Sequence, residues 1–348
     1  MQHIQLGSTG LTIEKNGFGA LPIQRITKDE AAALLRRALD GGMNYFDTAR
    51  AYTDSEEKLG FAFRGLRDQI IIATKTQAKN AADMRKDLET SLRMLGTDHI
   101  DVYQFHNPPF CPKPGGEDGL YEEALRAKEE GKIRFISITN HRLKVAQEAI
   151  ESGLYATLQF PYSYLSGPQE EALIEGCRKA GMGFIAMKGM AGGLIRDGYA
   201  AAAFMATRPD VVPIWGVQRD WELEQFLDVI KNGAELTPER LDTIAKDRAE
   251  LAGDFCRSCG YCMPCPVGIQ INQCARIILM LRRAPMAGWL SPRWQMEMHK
   301  IENCLHCNRC ASKCPYGLDT PRLLQDNYEE YWKILKDPSL AGGKAVQS

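Results

Sequence analysis

The chain has 348 residues, 44% of them hydrophobic and 25% charged, which suits about two globular domains and excludes a disordered or fibrous protein. Lys and Arg number 43 against 44 Asp and Glu, a formal net charge of -1, so no global field draws the chain to nucleic acid or to an anionic membrane. The opening MQHIQLGSTGLTIEK lacks a basic segment followed by an apolar one, and apolar runs such as Ile277 to Leu281 are far too short to cross a bilayer; a cytoplasmic location is expected.

Segments rich in Ile, Val, Phe and Tyr predict strands at Lys15 to Ala20, Met43 to Phe46, Ile70 to Thr74, His99 to Phe105, Lys132 to Ile138, Ala156 to Phe160, Gly183 to Met187 and Val211 to Ile214. Apolar residues at helical spacing predict helices at Lys28 to Leu39, Ser55 to Phe63, Ala82 to Leu95, Leu120 to Lys128, Leu143 to Ile150, Glu170 to Lys179 and Trp221 to Ile230. Asp54 followed by Glu57 reads as a capping box for the second helix. Such alternation makes an α/β protein with a parallel sheet, and a count of eight strand-helix units favours a closed (β/α)8 TIM barrel over an open sheet. Gly17-Phe-Gly-Ala-Leu-Pro22 is a poor dinucleotide loop, because Pro22 stands where the third glycine is needed.

Beyond about Asn232 the alternation stops. The barrel is expected to occupy residues 1–235, a small helical ferredoxin-like iron-sulfur domain 236–340, and a fraying tail 341–348. A polar helix, Pro238 to Leu251, leads into a cysteine-dense stretch, and Asp319-Thr-Pro321 starts a helix that runs through Tyr331.

Of eleven cysteines only Cys111 and Cys177 precede residue 256. The other nine include Cys256-Arg-Ser-Cys259-Gly-Tyr-Cys262-Met-Pro-Cys265-Pro and Cys304-Leu-His-Cys307-Asn-Arg-Cys310-Ala-Ser-Lys-Cys314-Pro, two copies of one design. Three thiolates at two-residue gaps wrap one corner of a cubane, and a fourth, followed by proline, serves the other cluster in two-cluster ferredoxins. The pattern therefore predicts two 4Fe-4S clusters, one on Cys256, Cys259, Cys262 and Cys314, the other on Cys304, Cys307, Cys310 and Cys265. The first copy has two residues rather than three before its last cysteine. Structural zinc is the alternative, although zinc sites use separated pairs and need no close-set triplet. Cys274, Cys111 and Cys177 read as buried packing residues.

Four polar residues fall where barrel strands end, the edge on which this architecture builds active sites: Asp47 and Tyr52, Lys75 and His106. A phenol ordinarily ionises near pH 10, too weak an acid for fast donation at neutral pH unless a neighbouring ammonium favours its ionised form. Lys75 is expected to supply that charge, Asp47 to hold Lys75, and His106 to orient a carbonyl oxygen.

With Phe46-Asp-Thr-Ala-Arg-Ala-Tyr52-Thr-Asp-Ser-Glu-Glu-Lys-Leu-Gly60 as signature, residues 1 to 230 resemble the aldo-keto reductase family, and the cysteine-rich tail resembles its iron-sulfur subgroup. Leu6-Gly-Ser-Thr-Gly-Leu11 looks like the family's N-terminal hairpin closing the barrel bottom. The resemblance implies NADP(H) or NAD(H) at the C-terminal face and hydride transfer to an aldehyde or ketone, or the reverse from an alcohol, with Tyr52 protonating the oxygen. It implies carboxamide contacts from Thr139, Asn140 and Gln159, a pyrophosphate region at Met187-Lys188-Gly-Met-Ala-Gly-Gly-Leu194, and adenosine-phosphate contacts from Gly216, Gln218 and Arg219. Where the family carries an aromatic residue on the nicotinamide this chain has Met187, and where it carries Glu-Asn this chain has Gln225-Phe226.

Hydride moves two electrons and a cubane one at a time, so direct exchange needs an intermediary such as a flavin, for which no fingerprint is visible. Three readings follow: a nicotinamide-dependent carbonyl reductase whose clusters relay electrons to a redox protein partner or stabilise the fold; an electron-transfer protein whose barrel binds a flavin or a partner; and a redox sensor on a dormant barrel.

Overall fold

The computed structural model describes residues 2–251, 255–283 and 286–341. Two short antiparallel strands, β1 (His3–Gln5) and β2 (Thr12–Glu14), form a hairpin. Eight parallel strands then close into a barrel: β3 (Gly17–Gly19), β4 (Tyr45–Asp47), β5 (Ile71–Thr76), β6 (Ile100–His106), β7 (Ile133–Thr139), β8 (Thr157–Pro161), β9 (Gly183–Met187) and β10 (Val211–Gly216), with β10 paired to β3. The helices between them are α1 (Lys28–Asp40), α2 (Ser55–Ala62), α3 (Ala81–Leu95), α4 (Leu120–Glu129), α5 (Leu143–Ser152), α6 (Pro168–Lys179), α7 (Gly198–Ala206) and α8 (Asp220–Asn232). The TIM barrel is thus present, and each predicted strand overlaps an observed one.

Local chemistry explains the helix ends. Thr27 accepts from the Glu30 amide while the Thr27 amide donates to Glu30 Oε2 at 2.8 Å, a reciprocal cap for α1. Asn80 caps α3 by accepting from the Asp83 amide at 2.9 Å, and Gly96 ends that helix at φ +64°, where a side chain would be strained. Sequence reasoning missed α7. Its apolar residues surround the whole helix, with seven of its nine residues buried, so no amphipathic stripe marks it. The capping box expected at Asp54 does not form: Asp54 makes no cap bond and instead pairs with Lys58 at 2.8 Å one turn on. Lys15, expected in the first strand, precedes it and donates to the carbonyls of Arg208 (2.8 Å) and Ala206 (3.4 Å) at the end of α7.

Alternation along the strands explains where the polar site lies. The hairpin residues Leu6, Leu11 and Ile13 pack with Tyr45, Ala73, Val102, Ile185, Val212 and Ile214, filling one end of the barrel with apolar side chains. Two residues further along each strand on the same face stand Asp47, Lys75 and Gln104, and two beyond Gln104 stands His106. The interior is therefore apolar toward the strand N-termini and polar toward their C-termini.

The chain divides into two compact units, residues 1–189 with 197–245 and residues 190–196 with 246–348. The division expected at 235/236 therefore falls ten residues later, within α9 (Pro238–Glu250), and a seven-residue segment after β9 belongs to the second unit. That unit is helical: α10 (Ile271–Cys274), α11 (Ile277–Arg283), α12 (Met286–Trp289), α13 (Pro292–His299), α14 (Arg309–Ser312) and α15 (Thr320–Lys336). The last helix starts as expected, with Asp319 accepting from the Arg322 amide and Pro321 in the first turn, but runs past Tyr331 to Lys336. Its core gathers Ile271, Cys274, Ile277, Leu281, Met298, Leu324, Tyr331 and Ile334. Asn327 on α15 accepts from the Ile278 amide (3.1 Å) and donates to Ala275 O (3.3 Å), bracing the link between α10 and α11. The tail Gly342 to Ser348, expected to fray, lies outside the described residues.

Candidate active site and cysteine sites

Asp47, the last residue of β4, and Lys75 near the end of β5 form an ion pair of 2.6 Å with both side chains at most 3% exposed. Lys75 Nζ also donates to Thr48 O at 2.6 Å. Gln104 Nε2 donates to Asp47 Oδ2 at 3.1 Å and Gln159 Nε2 to Oδ1 at 3.4 Å, so the carboxylate is held by one ammonium and two amides. Burial pushes the Asp47 carboxyl up and the Lys75 ammonium down, and each charge counters the shift of the other.

The loop after β4 brings Tyr52 over this pair. Thr48 N donates to Ala73 O and Arg50 N to Lys75 O, extending the sheet register, and Tyr52 N then donates to Ala49 O in a turn. Lys75 Nζ lies 5.2 Å from the Tyr52 ring centroid, and the His106 ring stands edge-on to that phenol, with centroids 5.8 Å apart and planes at 85°. All four predicted residues thus meet at one end of the barrel.

In the free protein burial, followed by the Asp47 charge, raises the pKa of Tyr52 above the ordinary phenol value. The Lys75 charge is already matched by Asp47 at 2.6 Å, so the phenol stays protonated in the free protein. Burial, reinforced by Lys75, pulls His106 down to about 3 and keeps its imidazole neutral.

Gln104 was missed, although its place two residues before His106 on the same strand face was a usable signal. Glu56 was missed as well. It is 1% exposed and accepts from Thr74 Oγ1 (2.6 Å), Ser91 Oγ (2.7 Å) and Arg50, tying α2, β5 and α3 together behind the site.

The residues assigned to nicotinamide recognition divide. Thr139, paired in register with His106 on one side and Gln159 on the other, ends β7 beside the site. Gln159 Oε1, Gln104 Oε1 and His106 Nδ1 are buried with no hydrogen-bond partner, and buried polar atoms of this kind call for a partner. Met187 ends β9 with its sulfur 3.9 Å from Thr139 Oγ1 and 3.8 Å from Gln159 Nε2. Asn140 is engaged within its own loop, donating to Pro108 O and accepting from the amides of His141 and Arg142. Lys188 follows Met187 at φ +60°. Gly216 ends β10 in register with Gly19; Gln218 accepts from Arg25 Nη1 at 3.4 Å; Arg219 is exposed at the start of α8. Phe226 stacks on Trp215 with centroids 4.3 Å apart and planes at 11°, and Gln225 lies against Gly198. Both therefore pack the barrel wall.

In the second unit the two cysteine loops share one backbone design. Ser258 and Gly260 flank Cys259 at φ +52° and +81°; His306 and Asn308 flank Cys307 at φ +48° and +56°. Left-handed residues alternating with ordinary ones turn successive N–H groups into a concave nest for an anion. The Ser258 amide already donates to Cys256 Sγ at 3.4 Å. A recess is lined by Cys262, Cys265, Cys304, Cys307 and Cys310. The Cys256 thiol stands near Cys259 and Cys314, and the Cys262 thiol near Cys256, Cys259 and Cys310. Cys262 thus stands between the Cys256-Cys259 loop and the Cys304-Cys310 loop. Among the described residues, no three His, Cys, Asp or Glu side chains are gathered tightly enough to hold a single metal ion. Cys274, Cys111 and Cys177 are buried, as expected.

The family model for the aldo/keto reductase family matches residues 3–246, and that for the 4Fe-4S dicluster domain matches residues 255–319. The chain belongs to the aldo/keto reductase family. It is 32% identical over 215 residues to L-galactose dehydrogenase of Arabidopsis thaliana, a match covering 55% of this chain and 66% of that protein. It is 29% identical over 269 residues to the uncharacterized oxidoreductase YrpG of Bacillus subtilis, covering 68% and 80%. Among solved structures it superposes on the holo form of aldo-keto reductase AKR11C1 from Bacillus halodurans with a TM-score of 0.61 and 23% identity, covering 71% and 96%. An aldo-keto reductase from Klebsiella pneumoniae in complex with NADPH gives 0.58 and 23%, covering 71% and 95%. No helix among the described residues is long and apolar enough to cross a membrane.

Proposed function

We propose that this aldo/keto reductase family member reduces an aldehyde or ketone, or oxidises the corresponding alcohol, with NADP(H) or NAD(H), that Tyr52 is the general acid, and that the two cysteine groups hold two 4Fe-4S clusters. The observation that carries the reading is the sealed Asp47–Lys75 pair beneath the Tyr52 ring, with His106 edge-on to it. When bound, the nicotinamide supplies a hydride to the carbonyl carbon. The free Oε1 of Gln159 fits a carboxamide N–H at that end of the barrel.

Tyr52 then gives its proton to the oxygen. A phenol that is protonated at rest is competent for this, provided that its ionised form is stabilised as the proton leaves, and the Lys75 ammonium beneath the ring provides that field in a buried site. Asp47 fixes the ammonium, and neutral His106 orients the oxygen without adding a competing cation. The cubanes are one-electron carriers, and two N–H nests at the paired loops suit their negative charge.

Anaerobically purified protein with NADPH and a panel of aldehydes and ketones tests this. Tyr52→Phe should lower carbonyl reduction about 10²- to 10⁴-fold and leave cluster absorbance intact; full turnover by the variant would remove Tyr52 from the chemistry.

The packing of Gln225 and Phe226 into the barrel wall favours a second reading, in which an electron-transfer protein binds a flavin or a redox protein partner at the barrel. Cluster bleaching by NADPH without a carbonyl or mediator would join nicotinamide and clusters in one path; bleaching only with added flavin would support this second reading.

A further inference from the structure

The second unit contains two buried guanidinium groups that are treated differently. Arg283, with a 7% exposed side chain, is matched by two carboxylates, Asp247 and Glu250, and donates to Leu194 O at 2.7 Å. Arg276 is only 2% exposed and has no carboxylate partner among the described residues. Its Nη2 donates to Gly192 O at 2.7 Å and lies 2.8 Å from Met280 Sδ; its Nε and Nη1 have no partner. Gly192 makes this close approach feasible, since a Cβ there would lie 3.1 Å from Nη1.

Leaving a guanidinium buried and unmatched costs several kcal/mol, and Arg cannot shed its proton to escape that cost. The two cysteine segments, residues 255–276 and 303–318, contain no Asp or Glu at all, so the missing negative charge is not a carboxylate on either segment. A Cβ built on Gly192 would lie 3.1 Å from Arg276 Nη1 and 3.8 Å from Arg257 O, so the residue that follows Cys256 stands beside the guanidinium. The Cys256 sulfur lies 3.8 Å from Asn272 O, four residues before Arg276.

We propose that Arg276 is the counter-ion of the iron-sulfur cluster held by Cys256, Cys259, Cys262 and Cys314, and that its positive charge raises the reduction potential of that cluster selectively. On reduction the cluster gains one negative charge, and a fixed cation beside one of its thiolates stabilises the more negative state. The Gly192 carbonyl and Met280 sulfur hold the guanidinium, leaving Nε and Nη1 to donate toward the cluster and its thiolates. Arg276 is a positioning residue in this role, acting on the cluster electrostatically. The inference rests on the ligand scheme proposed above.

The test is anaerobic redox titration of the iron-loaded full chain by electron paramagnetic resonance, comparing wild type, Arg276→Gln and Arg276→Lys. At the wild-type midpoint, Arg276→Gln should lower the reduced-to-oxidised ratio of one cluster about tenfold, about 59 mV for a one-electron couple. The other cluster should be unmoved, and Arg276→Lys should stay near wild type. If Arg276→Gln instead loses one cluster's iron while Arg276→Lys keeps it, charge is again the difference and the assignment stands. Two unshifted potentials in a loaded Arg276→Gln protein, or identical behaviour of the Gln and Lys variants, would overturn it. A wild-type chain lacking two clusters' worth of iron would instead overturn the ligand scheme itself, so the two failures are distinguishable.

Discussion

Replacing Lys75 with Met removes one charge from the pair on which the candidate site is built and leaves Asp47, 2% exposed, with only the amides of Gln104 and Gln159. At the 2.6 Å separation and an effective dielectric of about 20, the attraction removed is roughly 6 kcal/mol. Relief of the Lys75 desolvation offsets part of it, and breaking a buried pair of this kind costs about 3–5 kcal/mol. The cost depends on pH in a definite direction. Without Lys75, burial holds the folded pKa of Asp47 above its unfolded value near 4. The folded variant then binds more protons than the unfolded chain through that window, so its stability is greatest at the acid end and falls as pH rises through the folded pKa, by about 1.4 kcal/mol per unit. Asp47→Asn combined with Lys75→Met removes both charges and should return to within about 1–2 kcal/mol of wild type. Amide hydrogen exchange across β4, β5 and β6, read by mass spectrometry at pH 5.5 and 8, measures the barrel separately from the cysteine-rich unit. A Lys75→Met cost below about 1 kcal/mol at pH 8, or a double variant as unstable as the two single losses added together, would refute the reasoning.

The His106 imidazole, pulled down to about 3 by burial, should show carbon-bound proton resonances that do not move between pH 8 and pH 5; a midpoint near 6.5 would contradict its neutral role. The same depression means that its share of stability is complete above about pH 6.5 and declines as pH falls toward the folded value, one proton's worth. Cys307→Ala should lower the iron and sulfide content by about one cluster while leaving the barrel's circular dichroism intact, and an unchanged iron count would contradict the second ligand set.

Strand order, the polar end of the barrel and the 4Fe-4S dicluster domain were legible in the sequence because each rests on a local regularity. Period-two alternation fixes which residues of β4, β5 and β6 face inward, and tight Cys gaps survive any tertiary arrangement. What was illegible depended on surroundings. Helix α7 is apolar on all sides because it is covered on all sides, and neither Glu56 nor Gln104 belongs to a motif. The acidity of Tyr52 depends on a competition for Lys75, which Asp47 wins at 2.6 Å, and no spacing rule conveys the outcome of that competition. Asn140, Gln225 and Phe226 sit at motif positions, yet their side chains are committed to loop and wall contacts.

The amino-acid sequence by itself determined a closed parallel barrel, a cysteine-rich second unit, and the polar residues at the ends of three successive strands and in the loop after the first of them, since periodicity and spacing are properties of the chain. Only the tertiary structure decided which charges neutralise one another. Asp47 takes Lys75, Arg283 takes Asp247 and Glu250, and Arg276 is left with no carboxylate among the described residues. Electrostatic pairing follows distance and burial, and both are set by residues far apart in the sequence that folding brings within a few ångströms.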